Sequence, residues 1–431
     1  MFSAQNRQLL SWNFLLLVLF LSCAEQSPPK IELTFWAMGS EGEHVKSLIP
    51  DFEKRNPDIK VKVQAIPWGA AHEKLLTAYA GNATPDLCQL GSTWLAEFAV
   101  LDALLPLDSL IERSAIVSPE NFFDGVLQTN KIGKRLLGVP WYVDTRVFFY
   151  RKDVLARVGY HTAPKTWDEW LDAARKIKRL SGEDVPQYPA FFSLIFNDGY
   201  VPVILVMNND GAFFRDNNRF AAFDDPKTMA ALDFYLTFFR ENLASKSMTE
   251  FTDLFQGFAK ADFAMMIHGP WVVNEIRKRY PEIEEKWGTA VLPHKENRLS
   301  LAGGASLVIF KNTKYPEAAW KLIEFLSEVE TQTEFFRLTR DLPSVREAWQ
   351  APELQSDDKT TAFYEQLSDV SPAPQIPEWE QIYVKLQERL ETVIHEKNTL
   401  PKMVERLNRD VDRMLEKRRW LLERGLIEHE K

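Results

Sequence analysis

Cysteine is nearly absent from this chain: Cys23 and Cys88 are the two in 431 residues. Two cysteines exclude a disulfide-stapled scaffold and match no zinc-ligand spacing. The seven histidines are scattered and never form a His-Glu-x-x-His pattern, so no catalytic metal or other cofactor is expected. Positive charge is in deficit as well. A formal net charge of −9 leaves nucleic-acid binding without electrostatic support. No apolar run reaches the length of about 20 residues that a membrane-spanning helix requires. Internal repeats and low-complexity tracts are also missing.

What is present is the material of a globular protein. Hydrophobic residues make up 45% and charged residues 26%, over a length that suits two or three domains. Tryptophan is abundant, with 13 residues. Most of these rings belong in a core, but a surplus fits a protein that stacks on something flat.

The N-terminus carries a weak positive region at Arg7 and an apolar stretch over residues 14–21. That stretch is too short to span a bilayer and reads as an export signal. Ser22, Cys23 and Ala24 follow. A cysteine at the end of the apolar region resembles the bacterial lipobox, where signal cleavage leaves a lipid-modified cysteine. Phe20 stands where leucine is usual. The plain alternative is a secretory signal with an incidental cysteine, and the position of Cys23 favours the anchor. Residues 1–22 are therefore read as signal peptide, and 23–30 as the lipidated Cys23 with a short tether. The mature protein is expected outside the cytoplasm.

Residues 31–36 alternate, with Ile31, Leu33 and Phe35 on one face of a strand. Residues 43–55 place Val45, Leu48, Ile49 and Phe52 at helical spacing, and Asn56-Pro57 stops the helix. A strand over 60–66, a helix over 72–80 and a buried strand over 87–90 follow, with Cys88 as a small buried hydrophobe. This order predicts an α/β fold with helices on the faces of a mostly parallel sheet. A second α/β region follows Asp144. Thr166 with Glu169, and Thr331 with Glu334, have the spacing of capping boxes, and Asp225 can cap a helix that starts at Pro226. Residues 263–267 and 301–310 read as strands, the latter entered through Gly303 and Gly304. Helices are expected over 380–394 and 401–422. Val404, Leu407, Val411 and Met414 would pack on their own domain rather than in a partner coil.

Residues 138–153 are the most informative stretch. Trp141, Tyr142, Asp144 and Arg146 fall within six positions, ahead of the apolar Val147, Phe148, Phe149 and Tyr150. Flat rings beside a carboxylate and a guanidinium, at the start of a buried strand, mark a place where α/β proteins hold ligands.

Several blocks resemble one family, the bacterial extracellular solute-binding proteins of sugar importers, which are similar to maltose-binding protein. The blocks lie at residues 31–36, 81–90, 94–99, 104–108, 138–153, 164–170, 258–271 and 302–306, in the family's usual order. The final residues 418–431 depart from it as an added tail. The resemblance implies a two-lobed, type II periplasmic-binding-protein fold with a multi-strand hinge. Residues 31–143 and 297–330 would form one lobe, and 144–296 and 331–431 the other. A mono- or oligosaccharide would be held between the lobes and delivered to an ABC permease by a monomer that performs no catalysis.

Sugars present apolar faces and a rim of hydroxyls, so rings and fixed carboxylates, amides or guanidinium groups are sought. The resemblance implies a cleft carboxylate at Asp144, an aromatic platform at Trp271 and another stacking ring near Trp379. Asp144 can instead form a hinge ion pair with Arg146, which is divided between that pair and the ligand. Tyr142 is chosen over Trp141 to face the cleft, because neighbours in a strand point opposite ways. Glu41, and Ser92, Thr93 and Trp94, follow strands at their carboxyl ends, where ligands bind. Glu41 alternatively serves a helix N-terminus. Tyr200 is either a ligand contact or core. Gly303 and Gly304 allow close backbone approach to a ligand or mark a tight bend. Arg340 reaches the cleft or caps its helix. Two other functions share these residues: a binder of a polyol or peptide, and an extracellular glycosidase with Asp144 and Glu41 as its acid and base.

Overall fold

The computed structural model describes residues 31–180, 185–194, 200–250 and 253–425. The export signal, Cys23, the tether, the turn at residues 197–199 and residues 426–431 of the tail lie outside the described residues.

The strands that build the site are, in chain order, β1 (Ile31–Met38), β2 (Ile59–Ile66), β3 (Leu87–Gly91), β4 (Val139–Asp144) and β5 (Val147–Arg151), then β6 (Tyr188–Phe191), β7 (Phe263–His268), β8 (Trp287–Ala290), β9 (Gly303–Ile309) and β10 (Leu342–Pro343). They form two sheets. The first has the order β10-β4-β9-β3-β1-β2 and the second β8-β5-β7-β6. β1 lies parallel between β2 and β3. The strands added beyond them pair antiparallel: β9 with β3 and β4, and β10 with β4. The expected mostly parallel sheet thus describes the β2-β1-β3 part. β9 runs the other way as it enters from the second lobe, β4, antiparallel to β9, keeps the direction of β3, and β10 reverses again beside β4.

Alternation decides what each strand buries. Leu33, Phe35 and Ala37 of β1 pack with Trp320, Leu322 and Ile323 on one face of the first sheet. Met38, Cys88, Leu90 and Val308 pack with Leu75 and Phe98 on the other. In the second sheet Phe148, Met265 and Ile267 face a core with Trp170, while Phe149, Met266 and Trp287 face Phe363. Five tryptophans (Trp141, Trp170, Trp287, Trp349 and Trp379) are fully buried, whereas Trp68, Trp271 and Trp420 are exposed.

The helices used below are α1 (Gly39–His44), α2 (Trp68–Ala80), α3 (Trp167–Lys178), α4 (Val201–Asn208), α5 (Pro226–Arg240), α6 (Trp271–Arg279), α7 (Pro316–Ser327), α8 (Val329–Thr339), α9 (Trp379–Ile394), α10 (Leu400–Met414) and α11 (Glu416–Glu423). Local chemistry sets several ends. Thr166 Oγ1 accepts from the Glu169 backbone N–H at 3.1 Å, and Asp225 Oδ2 from that of Thr228 at 2.9 Å. Thr331 caps nothing, because α8 begins two residues earlier at Val329. The terminal helix expected over 401–422 breaks between Met414 and Glu416. Leu400, Met403, Val404, Leu407 and Val411 pack into the second lobe's own core.

The chain passes between the sheets at Thr145–Arg146, where β4 ends and β5 begins, and again between β8 and β9. It leaves the first sheet for the last time after β10. Residues 331–343, expected on the second lobe, lie on the first sheet. Leu342 and Pro343 pair with Val143 and Tyr142, and Phe335 stacks on Trp141 at 4.5 Å. Hydrophobic burial of Phe335 and backbone pairing hold this segment to the first lobe.

Candidate functional site

The site begins at the carboxyl ends of β1 and β3. Gly39 turns with φ +51°, and a Cβ there would stand 2.8 Å from Trp68 Cδ1 and 2.9 Å from Glu41 Oε2. Glycine therefore lets the Trp68 ring and the Glu41 carboxylate converge. A relay across three strands fixes Glu41. Gln89 Oε1 accepts from the Met38 N–H at 2.6 Å, and Gln89 Nε2 donates to the Tyr142 hydroxyl at 3.1 Å. The Tyr142 hydroxyl donates to Glu41 Oε1 at 3.0 Å. Burial, then the charge of Glu41, pushes the Tyr142 phenol well above its ordinary range.

The first crossing supplies the next wall. Arg146 forms an ion pair with Asp144, and its side chain is only 9% exposed. Its guanidinium lies 4.6 Å from the ring centre of Trp271, which belongs to the second lobe and is 40% exposed. A Cβ on Gly269 would meet that ring at 2.1 Å, so glycine is required for the indole to fold back over the strand end. The Arg146 N–H donates to Ser300 Oγ at 3.2 Å, and the Ser300 hydroxyl donates to the Arg146 carbonyl at 2.8 Å. This exchange ties the first crossing to the second.

The remaining side combines both lobes. Tyr200 precedes α4 and stacks on Tyr383 of α9 at 4.1 Å, with the rings 3° from parallel. Burial raises its phenol pKa, and the charges of Glu380, Arg146 and Asp144 all reach it. Glu380 of α9 faces the turn after β3. Burial raises its pKa, a hydrogen bond from Thr93 and the charge of His72 oppose that rise, and its Oε1 is buried without a partner. Beside Thr93, the Trp94 ring meets Trp68 at 5.6 Å and His72 at 5.0 Å. His72 is paired to Glu97 at 2.7 Å.

Glu41, Tyr142, Asp144, Arg146, Trp271 and Trp94 thus gather where the two sheets meet, while Tyr200 is buried in the second lobe's core. Other expected residues lie elsewhere or do other work. Trp379 is 1% exposed and packs edge-on to Phe213 at 5.3 Å. It is a core residue on the buried face of α9, and the stacking role expected for it is withdrawn. Gly304 has φ +111°, and a Cβ there would stand 2.2 Å from the Tyr142 carbonyl. On Gly303 it would stand 3.0 Å from the Asp144 carbonyl. The backbone these glycines admit is that of β4, where the pairing with β9 shifts register. Arg340 ends α8 in the left-handed region at φ +67°, with its guanidinium 5.4 Å from the Phe336 ring. It lines a groove with Pro270, Asn274 and Arg277.

Trp68, Gln89, Asp341 and Glu380 were not anticipated. Trp68 follows β2 as Trp94 follows β3, so the strand-end rule would have found it. Asp341 and Glu380 each stand one residue from a residue that was chosen. Among the described residues, no group of three or more His, Cys, Asp or Glu side chains is arranged to hold a metal ion. No helix there is long and apolar enough to cross a membrane.

Comparison with known proteins fits this geometry. The family profile "bacterial extracellular solute-binding protein" matches residues 38–333. The sugar-binding protein MalE from Xanthomonas citri is 42% identical, covers 91% of this chain and 99% of its own, and superposes with a TM-score of 0.86. An ABC transporter solute-binding protein from Thermotoga lettingae, solved with α-D-tagatose, is 26% identical, with coverage of 89% and 99% and a TM-score of 0.75. The galactooligosaccharide-binding protein of Bacillus subtilis is 24% identical over 86% of each chain. This chain shares the two-lobed, type II fold of the two solved structures. The chain belongs to the bacterial extracellular solute-binding protein family.

Proposed function

We propose that this protein binds a mono- or oligosaccharide between its lobes and delivers it to the permease of an ABC importer, without catalysis. The observation that supports this reading is the presence of half-exposed indoles beside fixed carboxylates near the junction of the lobes. Trp68 and Trp271 are 36% and 40% exposed in a protein that fully buries five other tryptophans. Glu41 and Asp144 are held by Tyr142 and Arg146. Rings cover the apolar face of a pyranose, and held acceptors take its hydroxyls. The similarity to a sugar-binding protein at 42% identity over nearly its full length supports the same ligand class.

The lobes are residues 31–143, 303–327 and 329–343 on one side, and 147–290 with 358–425 on the other. Closing them around a sugar gives the importer a state to recognise. The mature chain is a monomer outside the cytoplasm, anchored through lipid on Cys23 after removal of residues 1–22. A thermal-shift screen of the mature chain against mono- and disaccharides, polyols and peptides tests the ligand. A saccharide should raise the melting temperature, and a response confined to peptides or polyols would overturn the reading. Incubation with labelled oligosaccharides should leave them intact. Globomycin should leave the precursor uncleaved at Cys23, and normal maturation under the inhibitor would contradict the anchor.

A further inference from the structure

Asp341 sits where α8 gives way to β10. The antiparallel pairing of Leu342 with Val143, carried one residue further, sets Asp341 beside Asp144 at the ends of neighbouring strands. Its N–H donates to Thr339 Oγ1 at 3.0 Å. Its Oδ2 is buried and has no hydrogen-bond partner. An orphaned buried oxygen is costly and calls for an occupant.

The surrounding groups define what that occupant meets. Glu41 faces Asp341 from α1, and Tyr142 and Asp144 face it from β4. Arg146 lies beyond Asp144, and Thr339 and Arg340 flank Asp341 in its own turn. A carboxylate only accepts hydrogen bonds. The Tyr142 proton is already given to Glu41, and an Arg146 Nη1–H is given to Asp144. Three carboxyl groups, those of Glu41, Asp144 and Asp341, are therefore gathered here. A sugar hydroxyl both donates and accepts, and its lone pairs need a donor. Burial, then the charges of Glu41 and Asp144, holds the Asp341 carboxyl well above the usual carboxylate range. A protonated carboxyl presents an O–H beside these acceptors.

We propose that Asp341 is a ligand-contacting acid that donates its carboxyl proton in a hydrogen bond to a hydroxyl of the bound sugar, so that affinity depends on pH. The proposal rests on the sugar-binding reading of the cleft. The proton stays on Asp341 throughout, and no bond is made or broken in the sugar. Below the pKa of the empty cleft, the acid is ready to bind. Above it, binding must first take up a proton, and affinity falls about tenfold per pH unit.

The test uses whichever saccharide binds the mature chain in the screen. Calorimetric titrations run from about pH 5 to about pH 9.5, spanning the range reached by buried carboxyls. Two buffers of different ionisation enthalpy count the protons exchanged. Wild-type Kd should rise about tenfold per unit in the upper part of the range, with uptake approaching one proton. Asp341→Asn keeps a donor but cannot titrate. Its Kd should stay within about twofold across the range, with no uptake above background. A wild-type profile that is flat and proton-neutral overturns the proposal without any variant. Equal profiles in wild type and Asp341→Asn overturn it as well, and assign the proton to another group. In both cases a bound saccharide leaves the sugar reading standing. If no saccharide binds at any pH, the sugar reading falls and this proposal with it.

Discussion

Replacing Asp144 with Asn removes one charge at the crossing while keeping the side chain's shape. Its partner Arg146 is 9% exposed and Asp144 is 21% exposed. Breaking a buried ion pair from one side costs about 3–5 kcal/mol, because the other charge is left in a poor solvent. Two features reduce that figure here. Asp144 is one-fifth exposed, so water screens the pair in part. The Trp271 face also continues to stabilise the guanidinium, by about 0.5–2 kcal/mol. The expected loss for Asp144→Asn is about 2–3 kcal/mol of unfolding free energy. Arg146→Met leaves the more exposed partner behind and should cost less, about 1–2 kcal/mol. The double variant leaves no charge stranded. Its cost should fall short of the summed single costs by about 1.5 kcal/mol or more. Urea unfolding of the four unliganded proteins, followed by circular dichroism at low salt, gives this coupling. Additivity within about 0.5 kcal/mol would mean that the two charges stand apart in solution, and the crossing would need another explanation.

Tyr142→Phe strands Glu41 Oε1 and Gln89 Nε2, and should lower stability by about 2–3 kcal/mol and weaken ligand binding as Glu41 loses its tether. Unchanged stability would dissolve the relay. Trp379→Ala should destabilise by about 3–5 kcal/mol as a core deletion, with saccharide affinity changed severalfold at most. Strong loss of affinity in a stable variant would restore Trp379 to the site. The hydrogen bond to Glu97 raises the His72 pKa above its ordinary 6.5. The pair's stabilisation is then complete below that value and is lost as pH rises through the raised pKa. In an NMR titration, His72 should lose its proton at lower pH in Glu97→Gln than in wild type, and an unshifted midpoint would remove the pair.

Local pattern carried much of the fold. Ile31, Leu33 and Phe35 alternate into a single core, Thr166 and Asp225 cap where their spacing says, and the Val404 to Val411 face packs on its own lobe. What spacing could not supply was partner choice over long range. Phe335 and Leu342 belong to the first lobe because Trp141 and Val143, nearly 200 positions earlier, offer a ring and an open strand edge. The same limit governs the site. The run from Tyr142 to Arg146 was legible because its ring, carboxylate and guanidinium are close in sequence. Trp379 misled because a tryptophan after a proline looks the same whether its ring faces solvent or Phe213. Asp341 and Glu380 escaped because their significance lies in buried oxygens without partners, which only packing creates.

The most direct measurement is an equilibrium titration of intrinsic tryptophan fluorescence with the saccharides from the screen, comparing wild type with Trp271→Ala. Trp271 exposes 40% of its surface. For a ring of about 250 Å² that is about 100 Å² for a sugar to cover, about 2.5 kcal/mol at 25 cal/mol/Å², or about a 70-fold change in Kd. Wild type should show a saturable response that Trp271→Ala shifts to higher concentration by about that factor. A saccharide that binds both proteins equally would place the ligand away from the cleft between the lobes. Failure of every saccharide to bind wild type would contradict the assignment itself.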